Sequence, residues 1–383
     1  MDTIIGKTTL AVRAGLESDK QFGAVIPPVY LTSNFAFKQF GVEQQYDYSR
    51  TANPTRDTLA EAIATLEDGY GATVTNSGMA ALNLVTTFLN PEDYVLIPHD
   101  CYGGTIRLFS KLSERGLLRT VYVNQGDLEA VQQTVNKYNP KMVLVESPSN
   151  PLLRVVDIQA LSKITKGNDA LLVVDNTFLT PIFQTPFKLG ADLVIHSTTK
   201  YINGHSDVVG GVVVAKTKAL HQTMQEWANT LGLSGAPFDS YLTLRGLRTL
   251  KLRMHAHEKN ALALAQILSE HPLIERVYYP GLTDHPSHVI AKKQQFGFGG
   301  ILSFEIKNGL QQVELFFKNL DNFSLAESLG GVESLICHPY TMTHAAMSTA
   351  KKETAGISES LIRVSAGIEE QEDLTKSILR ALE

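Results

Sequence analysis

Seven short apolar stretches, spread over the first 215 residues, constrain the fold of this chain more than any other feature of its sequence. They lie at residues 72–75, 94–97, 120–123, 142–146, 171–174, 193–196 and 211–215. Short apolar runs of this kind are typical of buried strands, and most of these are separated by stretches of helical length. Strands that alternate with helices form a mostly parallel sheet covered on both faces. The sequence therefore predicts a large α/β domain built on a seven-stranded, mostly parallel sheet.

The pattern differs at the two ends of the chain. Residues 1–60 have little regular periodicity and contain chain breakers, which predicts an extended N-terminal arm. Beyond residue 250, a long helix is predicted at 247–268, and strands are predicted at 274–279, 301–306 and 361–365. We therefore expect an arm (1–60), a large domain (61–250) and a smaller C-terminal α/β domain (251–383).

Composition excludes several classes of function. The chain has 383 residues and a net charge of -5 without a long basic run, so we expect no nucleic-acid partner. No run of eighteen apolar residues occurs, which predicts that the protein does not span a membrane. Residues 1–7 lack the basic and apolar segments of a secretory signal, so a cytoplasmic location is expected.

Neither the cysteines nor the histidines form a metal-binding pattern. Cys101 and Cys337 lie far apart and form no C-x-x-C motif, which argues against a disulfide framework and a zinc site. The histidine pairs lack the helical ligand spacing with a carboxylate partner. We expect no metal ion.

Lys200 occupies an unusual place for a lysine. It follows the predicted strand 193–196 and a run of hydroxyl side chains that includes Ser197 and Thr199. A lysine that serves only as a surface charge needs no such setting, whereas a nucleophilic lysine must be neutral for part of the time and face a carbonyl. Lys200 is therefore a candidate nucleophile.

Asp175 ends the preceding predicted strand. The carboxyl ends of neighbouring parallel strands face one crevice, so Asp175 and Lys200 are expected to meet there. Pyridoxal 5′-phosphate needs this pair, a lysine for the Schiff base and an aspartate that keeps the pyridine nitrogen protonated. Either residue alone has an ordinary explanation, as a helix cap or a solvated side chain. Together with the hydroxyl cluster, they favour the cofactor.

Further groups could hold such a cofactor. The turn before the helix that starts near Gly78 and Met79 leaves backbone N–H groups for an anion. Tyr48 and Arg50, in the arm, could grip a phosphate, although a surface turn explains them equally well. Tyr102 follows a predicted strand and could stack on a flat ring or simply pack at the strand end.

These motifs resemble the signature of the Cys/Met-metabolism pyridoxal-phosphate enzymes, the family of the cystathionine γ-synthases, the cystathionine γ- and β-lyases and the methionine γ-lyases. The resemblance extends over residues 48–370, and the blocks that begin at Pro98, Val145 and Phe238 are most like the bacterial synthases. It implies the pyridoxal-phosphate-dependent transferase fold of aspartate aminotransferase type, fold type I. It also implies a homotetramer in which the arm carries Tyr48 and Arg50 to the cofactor phosphate of a neighbouring subunit.

The resemblance assigns roles to individual residues. Lys200, Tyr102 and Asp175 are the expected catalytic residues. The expected cofactor-binding residues are Tyr48, Arg50, Gly78, Met79, Tyr102, Asn150, Asp175, Ser197, Thr199 and Lys200.

Substrate contacts are expected elsewhere in the chain. Arg363 lies inside an apolar predicted strand, where a charge needs a partner, and a substrate α-carboxylate would supply one. Asn150 is a second candidate for that carboxylate. The resemblance places Ser328 near the catalytic lysine and Glu327 near the distal end of the substrate. Glu327 and Asp47 could hold an ammonium group, and Arg107 could meet a distal carboxylate.

The implied reaction joins L-cysteine to an O-acylated homoserine, with the succinyl ester as the expected substrate. Thr51 stands where succinyl-specific synthases often carry a second arginine, so the acetyl and phospho esters stay open. A γ-lyase, which breaks the same carbon-sulfur bond, is the main alternative. Glu327 departs from the tyrosine of β-lyases and Gly104 from the cysteine of methionine γ-lyases. A carrier that binds the cofactor without catalysis would need no carboxylate-binding arginine.

Overall fold

The computed structural model describes residues 6–345 and 347–383. The expectations that concern residues 1–5, which begin the predicted arm and the segment tested for a signal, lie outside the described residues. Within the described ranges, no helix is long and apolar enough to cross a membrane. No group of three or more His, Cys, Asp or Glu side chains in these ranges is placed to hold a metal ion.

All seven strands predicted for the large sheet are present. They are β1 (Gly71–Thr75), β2 (Tyr94–Pro98), β3 (Arg119–Val123), β4 (Met142–Glu146), β5 (Leu171–Asp175), β6 (Leu193–His196) and β7 (Gly211–Ala215). Their order across the sheet is β1-β7-β6-β5-β4-β2-β3. Only β7 runs antiparallel to its neighbours β1 and β6. The predicted seven-stranded, mostly parallel sheet is therefore confirmed.

Both faces of the central strands of this sheet are buried, which explains why these strands are mostly apolar. In β4, Val143 and Val145 belong to one core cluster, whereas Met142 and Leu144 belong to another. Successive side chains of a strand point to opposite faces. A strand covered by helices on both sides is therefore a nearly continuous apolar run.

Helices connect and cover the strands. In the first 250 residues they are α1 (Lys7–Arg13), α2 (Pro54–Glu67), α3 (Gly78–Val85), α4 (Gly103–Glu114), α5 (Leu128–Tyr138), α6 (Ile158–Lys166), α7 (Thr180–Phe183), α8 (Pro186–Leu189), α9 (Lys218–Leu231) and α10 (Pro237–Leu247), with a 3-10 turn at Thr86–Phe88. The later helices are α11 (Leu250–Glu270), α12 (His288–Gln294), α13 (Leu310–Asn319), α14 (Thr349–Ala355) and α15 (Gln371–Ala381).

The prediction of one helix over 247–268 is wrong at its start. Residue 247 ends α10, and a new helix, α11, begins at Leu250. The break lies next to Gly246, which closely approaches the loop after β6. A Cβ on this glycine would lie 2.1 Å from the carbonyl oxygen of Asn203. The close approach of these two backbones requires glycine there.

A second, smaller sheet follows. Its strands are β8 (Ile274–Tyr278), β9 (Ile301–Ile306), β10 (Ser324–Leu325), β11 (Leu335–Cys337) and β12 (Leu361–Ser365), in the order β10-β11-β12-β9-β8. Three of these strands were predicted. Two and three residues are too few to show a period, so β10 and β11 were missed.

The arm is irregular between α1 and α2. Residues 14–53 contain only isolated bridges, between Asn34 and Tyr48 and between Gln39 and Val42. The short helix α1 was not anticipated from the sequence. The domain boundaries near residues 60 and 250 stay a prediction.

Candidate active site

A cavity of about 370 Å³ opens at the carboxyl ends of β4, β5 and β6. In parallel α/β sheets, ligands usually bind in a crevice outside these strand ends. Eleven residues predicted for the site line this cavity: Gly78, Met79, Tyr102, Asn150, Asp175, Ser197, Thr199, Lys200, Glu327, Ser328 and Arg363. Their convergence from both sheets makes the cavity the candidate active site.

Lys200 lies in the loop that leaves β6. Its Nζ donates a hydrogen bond to Ser328 Oγ at 2.6 Å. Burial and the positive charge of Arg363 lower the pKa of Lys200 to about 8, while Glu327 acts in the opposite direction. A lysine with this pKa is neutral for an appreciable part of the time near pH 7, as a nucleophile or base must be.

Asp175 ends β5 and faces the same cavity. Its Oδ1 accepts a hydrogen bond from the backbone N–H of Thr177 at 2.9 Å. Burial raises the pKa of Asp175, while hydrogen bonds from Thr177 and the charge of His196 act to lower it. A carboxylate in this place can hold a protonated ring nitrogen.

The start of α3 forms an anion-binding corner. Ser77 Oγ accepts from the N–H of Ala80 at 3.0 Å, and helix geometry leaves the N–H groups of Gly78 and Met79 without a partner inside the helix. A Cβ on Gly78 would lie 2.8 Å from Cβ of Ser197, so glycine lets the hydroxyl-bearing loop come close. N–H groups and hydroxyls together suit a phosphate.

Arg363, on β12, closes the opposite side of the cavity. It is 3% exposed. Its Nη1 donates to Asn150 Oδ1 at 2.9 Å and its Nη2 to the carbonyl oxygen of Ser328 at 2.7 Å. Among the described residues, its Nε has no partner and no carboxylate forms an ion pair with it. A buried guanidinium held only by neutral acceptors is prepared to bind an anion.

Glu146 is a site residue that the sequence analysis missed. It ends β4, its Oε2 accepts from the N–H of Tyr102 at 2.9 Å, and its Oε1 accepts from the N–H of Asn150 at 2.9 Å. Burial and the negative charge of Asp175 raise the pKa of Glu146 to about 8. One carboxyl group thus fixes two cavity segments. Its place at a strand end, as for Asp175, was the signal that could have found it.

Four predicted site residues do not line the cavity of this chain. Asp47, Tyr48 and Arg50 are exposed on the arm, where Arg50 Nε donates to Asn229 Oδ1 at 3.1 Å. Because the arm was expected to serve a neighbouring subunit, their roles stay predictions. Arg107 is exposed on α4 and is absent from the cavity lining.

The groups present fit pyridoxal 5′-phosphate. Lys200 offers an amine for the aldehyde, Asp175 a carboxylate for the ring nitrogen, and the start of α3 with Ser197 donors for the phosphate. Tyr102, in the cavity wall, offers an aromatic ring to a flat cofactor.

Comparisons with known proteins agree with this chemistry. The sequence profile described as Cys/Met metabolism PLP-dependent enzyme matches residues 8–383. Cystathionine gamma-synthase from Escherichia coli is 52% identical, over 96% of this chain and 95% of that protein. A cystathionine beta-lyase from Coxiella burnetii is 46% identical, over 98% and 97%. A cystathionine gamma-lyase from Bacillus subtilis is 44% identical, over 98% and 99%.

A solved structure matches over nearly the whole chain. It is cystathionine gamma synthase from Xanthomonas oryzae pv. oryzae in complex with aminoacrylate and cysteine, 51% identical, with a TM-score of 0.98 over 99% of this chain and 98% of that one. Together with the two sheets, this match confirms the predicted transferase fold, fold type I. The chain belongs to the family of Cys/Met metabolism enzymes that depend on pyridoxal 5′-phosphate.

Proposed function

We propose that this enzyme catalyses a γ-replacement that joins L-cysteine to O-succinyl-L-homoserine and yields L-cystathionine and succinate. The observation that carries the proposal is the convergence of Lys200, Asp175 and Arg363 on one cavity. Similarity to the synthases of E. coli and X. oryzae supports the synthetic direction.

The cofactor would be held by the groups around the cavity. Bound pyridoxal 5′-phosphate supplies an electron sink for the negative charge that forms on an amino-acid substrate. Lys200 would carry it, Asp175 would meet its ring nitrogen, and Tyr102 would cover its ring. Gly78, Met79, Ser197 and Thr199 would hold its phosphate.

Arg363 would orient the substrate through its α-carboxylate. Its two Nη groups now donate to Asn150 and Ser328, and its Nε has no partner within the described ranges. A carboxylate can accept two parallel hydrogen bonds from a guanidinium. Asn150, adjacent to the guanidinium, would contribute a further polar contact.

Lys200 would move the protons of the reaction. In its neutral form, Nζ takes the α proton of the bound substrate. The protonated Nζ can then deliver a proton towards the leaving acid. Ser328 Oγ, 2.6 Å away, accepts from Nζ and holds it in place between these transfers.

The remaining predicted residues concern the incoming cysteine and the succinyl group. Glu327 lines the cavity and would hold the ammonium group of the incoming cysteine, with Asp47 of a neighbouring arm as a second carboxylate. Arg107 stays the candidate for the succinyl carboxylate, although it lies outside the cavity lining of this chain. Acetyl and phospho esters therefore stay open as substrates.

A γ-lyase is the second candidate, since a relative with that name is similar over almost the whole chain. It would use the same lysine, aspartate and arginine to cleave cystathionine. We rank a β-lyase lower because Glu327 stands where those enzymes typically have tyrosine. We also rank a non-catalytic cofactor carrier lower, because such a protein would not need Arg363 to bind a substrate carboxylate.

We further propose a cytoplasmic homotetramer with active sites shared between subunits. The arm supports this proposal, because it exposes apolar side chains such as Phe22 (83% exposed) and Phe40 (104%). Apolar groups clustered on an irregular segment are typical of a protein-protein interface.

The proposal is tested by incubating the purified protein with cysteine and the succinyl, acetyl or phospho ester of homoserine, and measuring cystathionine by chromatography. We expect the succinyl ester to give the fastest synthesis. Arg107→Ala should lower kcat/KM for synthesis with the succinyl ester by about tenfold, the equivalent of about 1.4 kcal/mol. It should leave kcat/KM with the acetyl ester unchanged. Absence of cystathionine with every ester would overturn the proposed synthesis.

A further inference from the structure

A buried glutamate–histidine pair lies behind the candidate cofactor site and takes no part in the proposed chemistry. Glu67, the last residue of α2, and His196, the last residue of β6, are both fully buried. The distance between Glu67 Oε1 and His196 Nε2 is 2.6 Å. The same Oε1 accepts a hydrogen bond from Asn176 Nδ2 at 2.9 Å.

Each of the two partners of Glu67 is adjacent in the sequence to a residue that lines the cavity. Asn176 directly follows Asp175, and His196 directly precedes Ser197. One carboxylate oxygen therefore joins the ends of two neighbouring strands, β5 and β6, at the residues next to two cavity side chains. A displacement of the Glu67 side chain would therefore be transmitted to Asp175 and Ser197, because each is one peptide unit away from a partner of Glu67.

The contacts continue beneath the cavity floor. Gln184 Nε2 donates to Asn176 Oδ1 at 3.0 Å and to the carbonyl oxygen of Ser147 at 3.0 Å. Ser147 follows Glu146, which fixes Tyr102 and Asn150. The network thus links the exits of β4, β5 and β6, the three strands whose ends form the cavity.

Stability alone explains this pair poorly. Burying a carboxylate carries a large desolvation cost, and an apolar pair of similar size is often at least as stable. Among the residues that the structure describes, Glu67 Oε2 and His196 Nδ1 have no hydrogen-bond partner. Most buried polar atoms in folded proteins are paired, so each such atom calls for an explanation.

We propose that Glu67 is a positioning residue that fixes Asp175 and Ser197 for the cofactor through its contacts with Asn176 and His196. The inference rests on the proposed placement of the cofactor in the cavity. This positioning depends on the acceptor oxygen of residue 67 and on the hydrogen bonds made to it. A glutamine, which has the same shape and keeps an acceptor oxygen, should therefore serve as well as the glutamate.

Three variants separate positioning from a general loss of stability. Glu67→Gln keeps an acceptor oxygen and the size of the side chain. Glu67→Leu keeps the approximate size and removes the acceptor. Ser377→Ala is the control, because Ser377 is a buried residue of α15 whose Oγ bonds to Asp321, and neither residue lines the cavity.

The measurements are the dissociation constant of pyridoxal 5′-phosphate from each apo-protein, by equilibrium dialysis, and the visible circular dichroism of the bound cofactor. We expect Glu67→Gln and Ser377→Ala to remain within about threefold of the wild type. Glu67→Leu should weaken binding by about tenfold or more and alter the visible dichroism. Thermal melting shows whether each variant is folded.

The proposal is overturned if Glu67→Leu is folded yet binds the cofactor with wild-type affinity and dichroism. If Glu67→Leu does not fold, Asn176→Ala removes the hydrogen bond between Asn176 and Glu67 instead. Wild-type binding and dichroism in Asn176→Ala would equally overturn the proposal.

A separate experiment tests the proposed function on which the inference rests. Borohydride reduction of the wild-type protein and peptide mapping should place the cofactor on Lys200. A different lysine would overturn the proposed site, whereas Lys200 together with an unaffected Glu67→Leu variant would overturn only the role of Glu67.

Discussion

The neutral amine of Lys200 is central to the proposed chemistry. Burial beside Arg363 lowers its pKa from the usual 10.5 to about 8. Glu327, the third group acting on this amine, opposes the shift because a negative charge favours the ammonium form. The reactivity of Lys200, which follows a strand of the large sheet, is therefore tuned by charged groups from the region of the small sheet.

This pKa predicts how the apo-protein takes up its cofactor. Attack on an aldehyde needs the neutral amine, so the rate of attachment should rise with pH and level off above about 8. The visible absorbance of the bound cofactor gives the rate at each pH. In Glu327→Gln, the loss of a charge that raises the pKa of Lys200 should move the midpoint to lower pH. A midpoint that stays near 10 in the wild type, the region of an ordinary lysine, would contradict the assignment.

Arg363 gives a second prediction at the scale of a single residue. Charge-assisted hydrogen bonds contribute about 1.5 to 3 kcal/mol, so Arg363→Ala should lower kcat/KM by about tenfold to a hundredfold. Steady-state kinetics with the preferred homoserine ester provides the measurement. Arg380→Ala, which removes an exposed ion pair with Asp321, is the control and should stay close to wild type. Equal losses in the two variants would rule out a specific carboxylate site.

Single residues were predictable where their type conflicted with their surroundings. A lysine after a hydroxyl run, an aspartate at the end of a buried strand and Arg363 inside an apolar strand each needed a partner. Glu146 ends a strand in the same manner, but nothing in its neighbours signalled that its carboxyl group would bind two backbone N–H groups. Glu67 ends a helix, where a glutamate is ordinary, and only the structure brings it against His196.

At the scale of elements, the start of α3 leaves no room for a side chain at Gly78. Gly78 lies so near Ser197 that an added Cβ would come within 2.8 Å of its side chain. The backbone N–H groups that suit a phosphate and the hydroxyl opposite them therefore depend on the absence of a side chain.

Gly78→Ala should therefore weaken cofactor binding. We expect the dissociation constant of pyridoxal 5′-phosphate to rise by about tenfold or more, on the basis of about 1.5 to 3 kcal/mol for each hydrogen bond to a charged group. Equilibrium dialysis of the apo-protein measures it. Gly6→Ala is the matched control, since an added Cβ there meets nothing within 4 Å. Unchanged binding in Gly78→Ala would remove α3 from the phosphate site.

The elements themselves were predictable to different degrees. The strands of the large sheet are apolar on both faces, so their positions were clear from the sequence. The strands β10 and β11 are too short to show a period. The break between α10 and α11 lies next to a close approach between Gly246 and Asn203, which are far apart in the sequence, and no local pattern indicates that contact.

At the scale of the whole molecule, the cavity depends on contacts between distant parts of the chain. Lys200 leaves the large sheet, and its hydrogen-bond partner Ser328 lies 128 residues away, beside the small sheet. The sequence predicted both sheets, but the way in which they meet depends on the complementary shape of two buried surfaces. That arrangement was available only from family resemblance.

Sharing of active sites between subunits is testable by mixing inactive variants. Arg50→Ala and Lys200→Ala should each be inactive or nearly so. Hybrids of the two should recover part of the wild-type activity, because one of their sites keeps both residues. Subunit exchange is followed with tagged chains in the same samples. Exchange without recovery would place Arg50 in the site of its own subunit.

The direction of the reaction distinguishes a synthase from a γ-lyase. In one preparation of the wild-type protein, kcat/KM is measured for cystathionine synthesis from cysteine and O-succinyl-L-homoserine, and for cleavage of cystathionine to cysteine and 2-oxobutanoate. We expect synthesis to be faster by about tenfold or more, a difference of about 1.4 kcal/mol in transition-state stabilisation. Rapid cleavage of cystathionine, with no synthesis from the ester, would contradict it and identify a γ-lyase.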